Sequence, residues 1–129
     1  MLLPLRHPRA WLVLGWIFVV LAVIASIVPI QRLPQPPGLN DKVEHMAGYA
    51  LLALWFVGIY PRSRYVVIAV GLFAMGLLIE WAQSAMQLGR HGDVRDVFAN
   101  CVGIGVGLTL GFLWLGGWAQ RVEAWTRRS

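Results

Sequence analysis

The sequence predicts an all-α integral membrane bundle of four transmembrane helices, and three observations carry that expectation. Of 129 residues, 58% are hydrophobic and only 13% charged, with mean hydropathy +0.64. Lipid can cover that much apolar surface, whereas a soluble domain of this size would expose it. The apolar residues also fall into long uninterrupted runs separated by short polar breaks. No alternating strand pattern competes, and only helices or closed barrels satisfy a membrane-spanning backbone. A single domain covering residues 1–129 follows, with helices at about 11–29, 42–60, 65–86 and 94–118.

Each element has its own signals. Arg6 and Arg9 precede the first run, but no small-residue cleavage site follows it, so an uncleaved span is expected over a signal peptide. Pro29 and the stretch Leu33-Pro34-Gln35-Pro36-Pro37-Gly38 cannot continue a helix and read as an extended loop. Asn40 or Asp41 then caps the second helix, which stops near Tyr60-Pro61. The third run is continuous from Tyr65 to Met86. The fourth, from Val94 to Trp118, carries Gly103, Gly107 and Gly111 on one face, a stripe that lets another helix approach closely. A short tail with Arg121, Arg127 and Arg128 could lie along anionic lipid. Trp11, Trp16, Trp118 and Trp125 read as anchors at the membrane interface, Trp55 and Trp81 as packing or lipid-facing residues, and Cys101 as a small buried packing residue.

Charge sets an expected orientation. One end collects Arg6, Arg9, Arg62, Arg64, Arg121, Arg127 and Arg128 against Glu123 alone. The other end holds Arg32, Lys42, Arg90 and Arg95 with Asp41, Glu44, Glu80, Asp93 and Asp96. The positive-inside rule then places both termini in the cytoplasm and the mixed-charge end outside. The net charge of +5 does not imply nucleic acid, because the arginines sit in connections and tails rather than along one face.

The mixed-charge end is the candidate site. Asp41, His45 and Tyr49 recur every four residues and form one row on the second helix. Glu80 and Gln83 share a face of the third. Arg90 and Asp93 precede the fourth, whose own row begins Asp96, Asn100. Glu80 lies fifteen residues past Tyr65, roughly 22 Å along a helix at ~1.5 Å per residue. His45 and Asn100 lie about one turn inside their helix starts, so all three rows reach a comparable depth. Ionisable groups in a membrane are costly and mark functional sites by default.

These blocks, Asp41-Lys42-x-x-His45-x-x-x-Tyr49, Glu80-x-x-Gln83 and Arg90-x-x-Asp93-x-x-Asp96-x-x-x-Asn100-x-x-Gly103-x-x-x-Gly107, resemble the VanZ-like family of small bacterial membrane proteins over residues 38 to 115. The resemblance implies a polytopic protein of the bacterial cytoplasmic membrane, linked to resistance to the glycopeptide teicoplanin or other envelope-active agents. It implies no defined reaction.

Three readings follow. In the first, Asp41, His45, Tyr49, Glu80, Gln83, Arg90, Asp93, Asp96 and Asn100 bind a membrane-lipid head group or a cell-wall precursor, with Arg90 and Arg95 on phosphate and carboxylates on an amine. In the second, the cluster is a buried ion-pair knot that fixes helix register. In the third, His45 oriented by Asp41 is a general base and Glu80 an acid in an enzyme acting on such a lipid. No cofactor is expected. His45, Glu80, Asp93 and Asp96 are legitimate metal ligands, but no linear spacing such as HxxxH, HExxH or CxxC marks a metal site, so none is expected.

Overall fold

The computed structural model describes residues 1–28, 40–86 and 92–128, and every regular element among them is helical. Helix α1 covers Pro8–Ile27 and α2 covers Asp41–Ile59. A single 3-10 turn, Arg62–Arg64, leads into α3, Tyr65–Met86. Helix α4, Val94–Leu110, runs on into a π-helical turn, Gly111–Leu115, and α5 is Trp118–Thr126. Three stretches, Pro8–Ile27, Arg62–Met86 and Val94–Leu115, are long and apolar enough to cross a membrane. The fourth expected span, α2, has 19 residues but carries Asp41, Lys42 and Glu44 in its first turn.

The third helix has the expected bounds, and the others differ for local reasons. Helix α1 starts at Pro8, where a proline's missing N–H would have had no intrahelical partner anyway. Asn40 caps α2, its side chain accepting from the Val43 N–H at 2.9 Å. The fourth helix stops short of residue 118, because the chain breaks at Gly116-Gly117. Gly117 sits at φ +69°, a conformation that favours glycine, and its N–H reaches the Val57 carbonyl at 3.0 Å. The turn folds α5 back onto α2. The C-terminal arginines therefore flank a packed helix, with Ala119 and Glu123 buried, rather than a loose tail.

Helix α2 is the centre of the bundle. Tyr49, Leu52, Ala53, Phe56, Val57 and Ile59 are all buried on it, while α1 buries only Gly15. Helix α4 lies along α2 through the glycine stripe. A Cβ on Gly107 would come 2.6 Å from the Ala53 Cβ, and one on Gly111 would come 2.5 Å from a Val57 methyl. With side chains removed there, the two backbones meet directly. Cys101 lies on the other side of α4 and is exposed, which corrects its expected burial.

The arginine-rich end is closed by aromatic packing. Ring centroids of Trp11, Trp55 and Trp118 lie 5.2 to 5.6 Å apart in tilted and edge-on contacts. The Trp118 indole donates to the Leu54 carbonyl at 2.7 Å and the Trp55 indole to the Trp11 carbonyl at 3.2 Å. Trp11 and Trp118 are partly buried and pack against the core, whereas Trp16 and Trp125 are exposed.

Candidate functional site

At the opposite end, the starts of α2 and α4 and the end of α3 converge. Asp93 is the cap of α4, accepting from the Arg95 N–H at 2.9 Å. The Glu80 carboxylate on α3 accepts the Asp93 N–H at 2.7 Å and so holds that cap in place. Gly92 makes the approach possible, since a Cβ there would lie 2.7 Å from the Glu80 carbonyl. The Lys42 ammonium donates to Asp93 at 3.0 Å and also to Asp96, tying α2 to α4. The Arg95 N–H first, and Lys42 second, hold the Asp93 carboxyl below its ordinary value.

His45 sits beside this clamp. Its Nδ1 is 3.1 Å from the Asn100 side-chain oxygen. Its Nε2 is 3.6 Å from Asp41 and 4.0 Å from Asp96. Asp96 and Asn100 are buried at 4% and 2% exposure. Tyr49 lies one turn deeper than His45. A cavity of about 170 Å³ opens here, lined on its polar side by Asp41, Glu44, His45 and Tyr49 and on its apolar side by Ala22, Ala25 and Leu52. A larger cleft of about 470 Å³ lies between α1, α2 and α3, but its lining is apolar except near Arg64 and Tyr60, and no cluster residue reaches it.

The residues picked out in the sequence separate accordingly. Asp41, His45, Asp96 and Asn100 meet directly, and Asp93 and Glu80 join through Lys42 and the α4 cap. Tyr49 lines the cavity. Gln83 turns to α1 instead, donating to the Ser26 carbonyl at 2.7 Å. Arg90 lies outside the described residues, and Arg95 is exposed, so a two-arginine phosphate clamp gains no support from them. Two residues were missed. Lys42, the chain's single lysine, is the clamp's cation; Glu44, at i+3 from Asp41, lines the cavity. Three buried polar atoms have no hydrogen-bond partner among the described residues: the Tyr49 hydroxyl, Glu80 Oε1 and Gln83 Oε1.

The expected lack of metal ligands rested on linear spacing. Across two helices, Asp41, His45 and Asp96 each present a ligand atom, and the three atoms lie within 4.8 Å of one another.

Among known proteins, the chain is 34% identical over 104 residues to an uncharacterized protein of the fission yeast Schizosaccharomyces pombe, covering 76% of this chain. The chain spans 62% of that relative's length. No family model matches the chain, and no solved structure matches it. The relative is eukaryotic, which overturns the expected location in a bacterial cytoplasmic membrane. The positive-inside count ranks the two ends of a bundle by charge; it does not identify the membrane.

Proposed function

We propose that this protein is a membrane protein in which α2 crosses the bilayer as the innermost of four helices and the cavity beside His45 holds an amine-bearing lipid head group. The observation that carries this reading is the amphipathic lining of that cavity. Its apolar wall, Ala22, Ala25 and Leu52, suits the start of an acyl chain, and its polar wall presents Asp41 and Glu44. The Glu44 carboxylate has no hydrogen bond or ion pair among the described residues, and the cluster's carboxylates outnumber its cations. An ammonium group is the natural complement. Kinship with VanZ-like proteins belongs to the same proposal, supported by the three motif blocks alone; drug resistance is not carried over.

The knot reading has one observation in its favour, the Lys42 clamp on Asp93 and Asp96. It accounts for that half of the cluster and leaves Glu44 and Tyr49 without a role. Native mass spectrometry of the purified chain, with a chelator present, separates the two. An amine-bearing lipid should be retained by the wild type and lost from Glu44→Gln, whose partly exposed side chain costs the fold about 0.5 kcal/mol or less. Equal retention by both proteins, or a retained lipid without an amine, would rule the head-group reading out.

A further inference from the structure

We propose that Asp41, His45 and Asp96 form a binding site for a divalent transition-metal ion, Zn²⁺ or Mn²⁺. The distances point to it. His45 Nε2 stands 3.6 Å from Asp41 Oδ1 and 4.0 Å from Asp96 Oδ2, too far for hydrogen bonds. Around a tetrahedral ion with bonds of about 2.1 Å, ligand atoms lie roughly 3.4 Å apart. The two edges at His45 are slightly wider than that, and all three ligand atoms lie within 4.8 Å of one another, so the trio surrounds a space that can close onto an ion.

The ring is also oriented for it. The Asn100 side-chain oxygen is an acceptor, so at 3.1 Å it can take a hydrogen on Nδ1, which turns Nε2 toward the two carboxylates. Asp96 is braced through its other oxygen by Lys42, and His45 by Asn100, outer partners of the kind that metal ligands usually have. One imidazole with two carboxylates suits Zn²⁺ or Mn²⁺ better than Mg²⁺ or Ca²⁺, which favour all-oxygen sets.

A second observation points to a ligand independently. Tyr49 lines the same cavity one turn below His45 and is only 6% exposed, and its hydroxyl, beside Gly76 of α3, has no hydrogen-bond partner among the described residues. A water or anion on the ion's open positions would supply that partner. Glu44 lies outside the trio, so the ion and the head group are separable.

The experiment uses the full-length chain in detergent, stripped of metal and without added lipid. Zn²⁺ and Mn²⁺ are titrated by calorimetry, bound metal is counted by mass spectrometry, and X-ray absorption reads the ligands. The wild type should hold one ion per chain with one imidazole ligand, and His45→Ala should hold none. Asn100→Ala should weaken binding roughly 10–100-fold, the usual cost of an outer partner. Asp41→Asn, near the cavity's rim and outside the Lys42 clamp, should weaken it at least tenfold with its helical signal unchanged, and this decides the matter if His45→Ala does not fold. A wild type that takes up no ion, one that prefers Ca²⁺ or Mg²⁺, or an Asp41→Asn protein that binds as the wild type does would overturn the site. None of these outcomes bears on lipid retention measured with chelator present.

Discussion

Two buried acids, one at each end of the bundle, show what a closed polar contact and an open one look like in the same chain. Glu123 on α5 is 6% exposed, and both of its oxygens are engaged: the Arg6 N–H at 2.6 Å, the His7 N–H at 3.0 Å and the Trp11 indole at 2.8 Å. It caps α1 from across the chain, because neither the His7 side chain nor Pro8 can do so. Glu80 on α3 is 8% exposed, and one oxygen accepts the Asp93 N–H while the other has no partner among the described residues. Near it the Tyr49 hydroxyl and Gln83 Oε1 are equally unsatisfied. Burial of a charge is common to both ends. Unsatisfied polar atoms occur at one, and native interiors rarely leave such atoms without a reason.

The largest effect expected from this contrast is at the closed end. Glu123→Ala would strand two backbone N–H groups and an indole N–H, each worth about 1–3 kcal/mol when left unpaired. The chain should lose at least ~3 kcal/mol, and its thermal midpoint in detergent should fall by roughly 10 °C. An unchanged midpoint would mean that water replaces the carboxylate and that this end is not closed. The acid side of the stability profile checks the same contact. Burial pushes the Glu123 carboxyl up, but the Arg6 N–H, the Trp11 indole and the His7 N–H together hold it below its ordinary value of 4.5. A depressed folded value means that its contribution is complete above pH 4.5 and is lost as pH falls through the lower folded value. Glu123→Gln should flatten that loss.

The open end is held by close backbone approach instead of rings, and glycines test it. A Cβ on Gly103 would overlap the Met46 carbonyl oxygen and lie 3.1 Å from the Ala50 nitrogen, so α2 and α4 would have to part. Gly103→Ala should cost about 1–3 kcal/mol in thermal unfolding and displace His45 from Asn100. Two residues away, Gly105 has nothing within 4 Å of a Cβ, and Gly105→Ala should gain up to ~1 kcal/mol from helix propensity. Changes of the same sign at both positions would contradict the packing described for α4.

How much of this was legible in the sequence follows the same division. The i, i+4 rows and the glycine stripe are properties of single helices, so periodicity alone brought Asp41, His45, Asp96 and Asn100 together. Continuous hydropathy also placed α3 correctly. What periodicity cannot express is contact between distant segments. Trp11 and Trp118 were read from their positions near segment ends, yet their rings meet through a turn that Gly116-Gly117 makes possible. Glu123 stood out only as a lone acid among arginines, with nothing to say that Arg6 and His7 lie against it. Lys42 was visible within its motif, but its role depends on Asp93 and Asp96 arriving from α4. The metal-ligand trio draws on two helices and has no linear signature at all.

The smallest expected effect on stability is also the one that bears most directly on the comparison. Tyr49→Phe removes a buried hydroxyl that has no partner and leaves the ring, which packs against Gly76 of α3, in place. Deleting a satisfied buried hydroxyl costs about 1 kcal/mol or more, whereas deleting an orphan is near neutral or stabilising. The thermal midpoint of the empty protein should therefore stay level or rise slightly, while retention of the head group or ion should weaken, since a bound ligand would be the hydroxyl's partner. A fall in midpoint by the equivalent of 1 kcal/mol or more would show that Tyr49 is satisfied within the fold. The cavity would then be as closed as the contact at Glu123, and Tyr49 would no longer point to a ligand. A level midpoint together with unchanged ligand retention would place the ligand away from Tyr49, at the rim near Asp41 and Glu44.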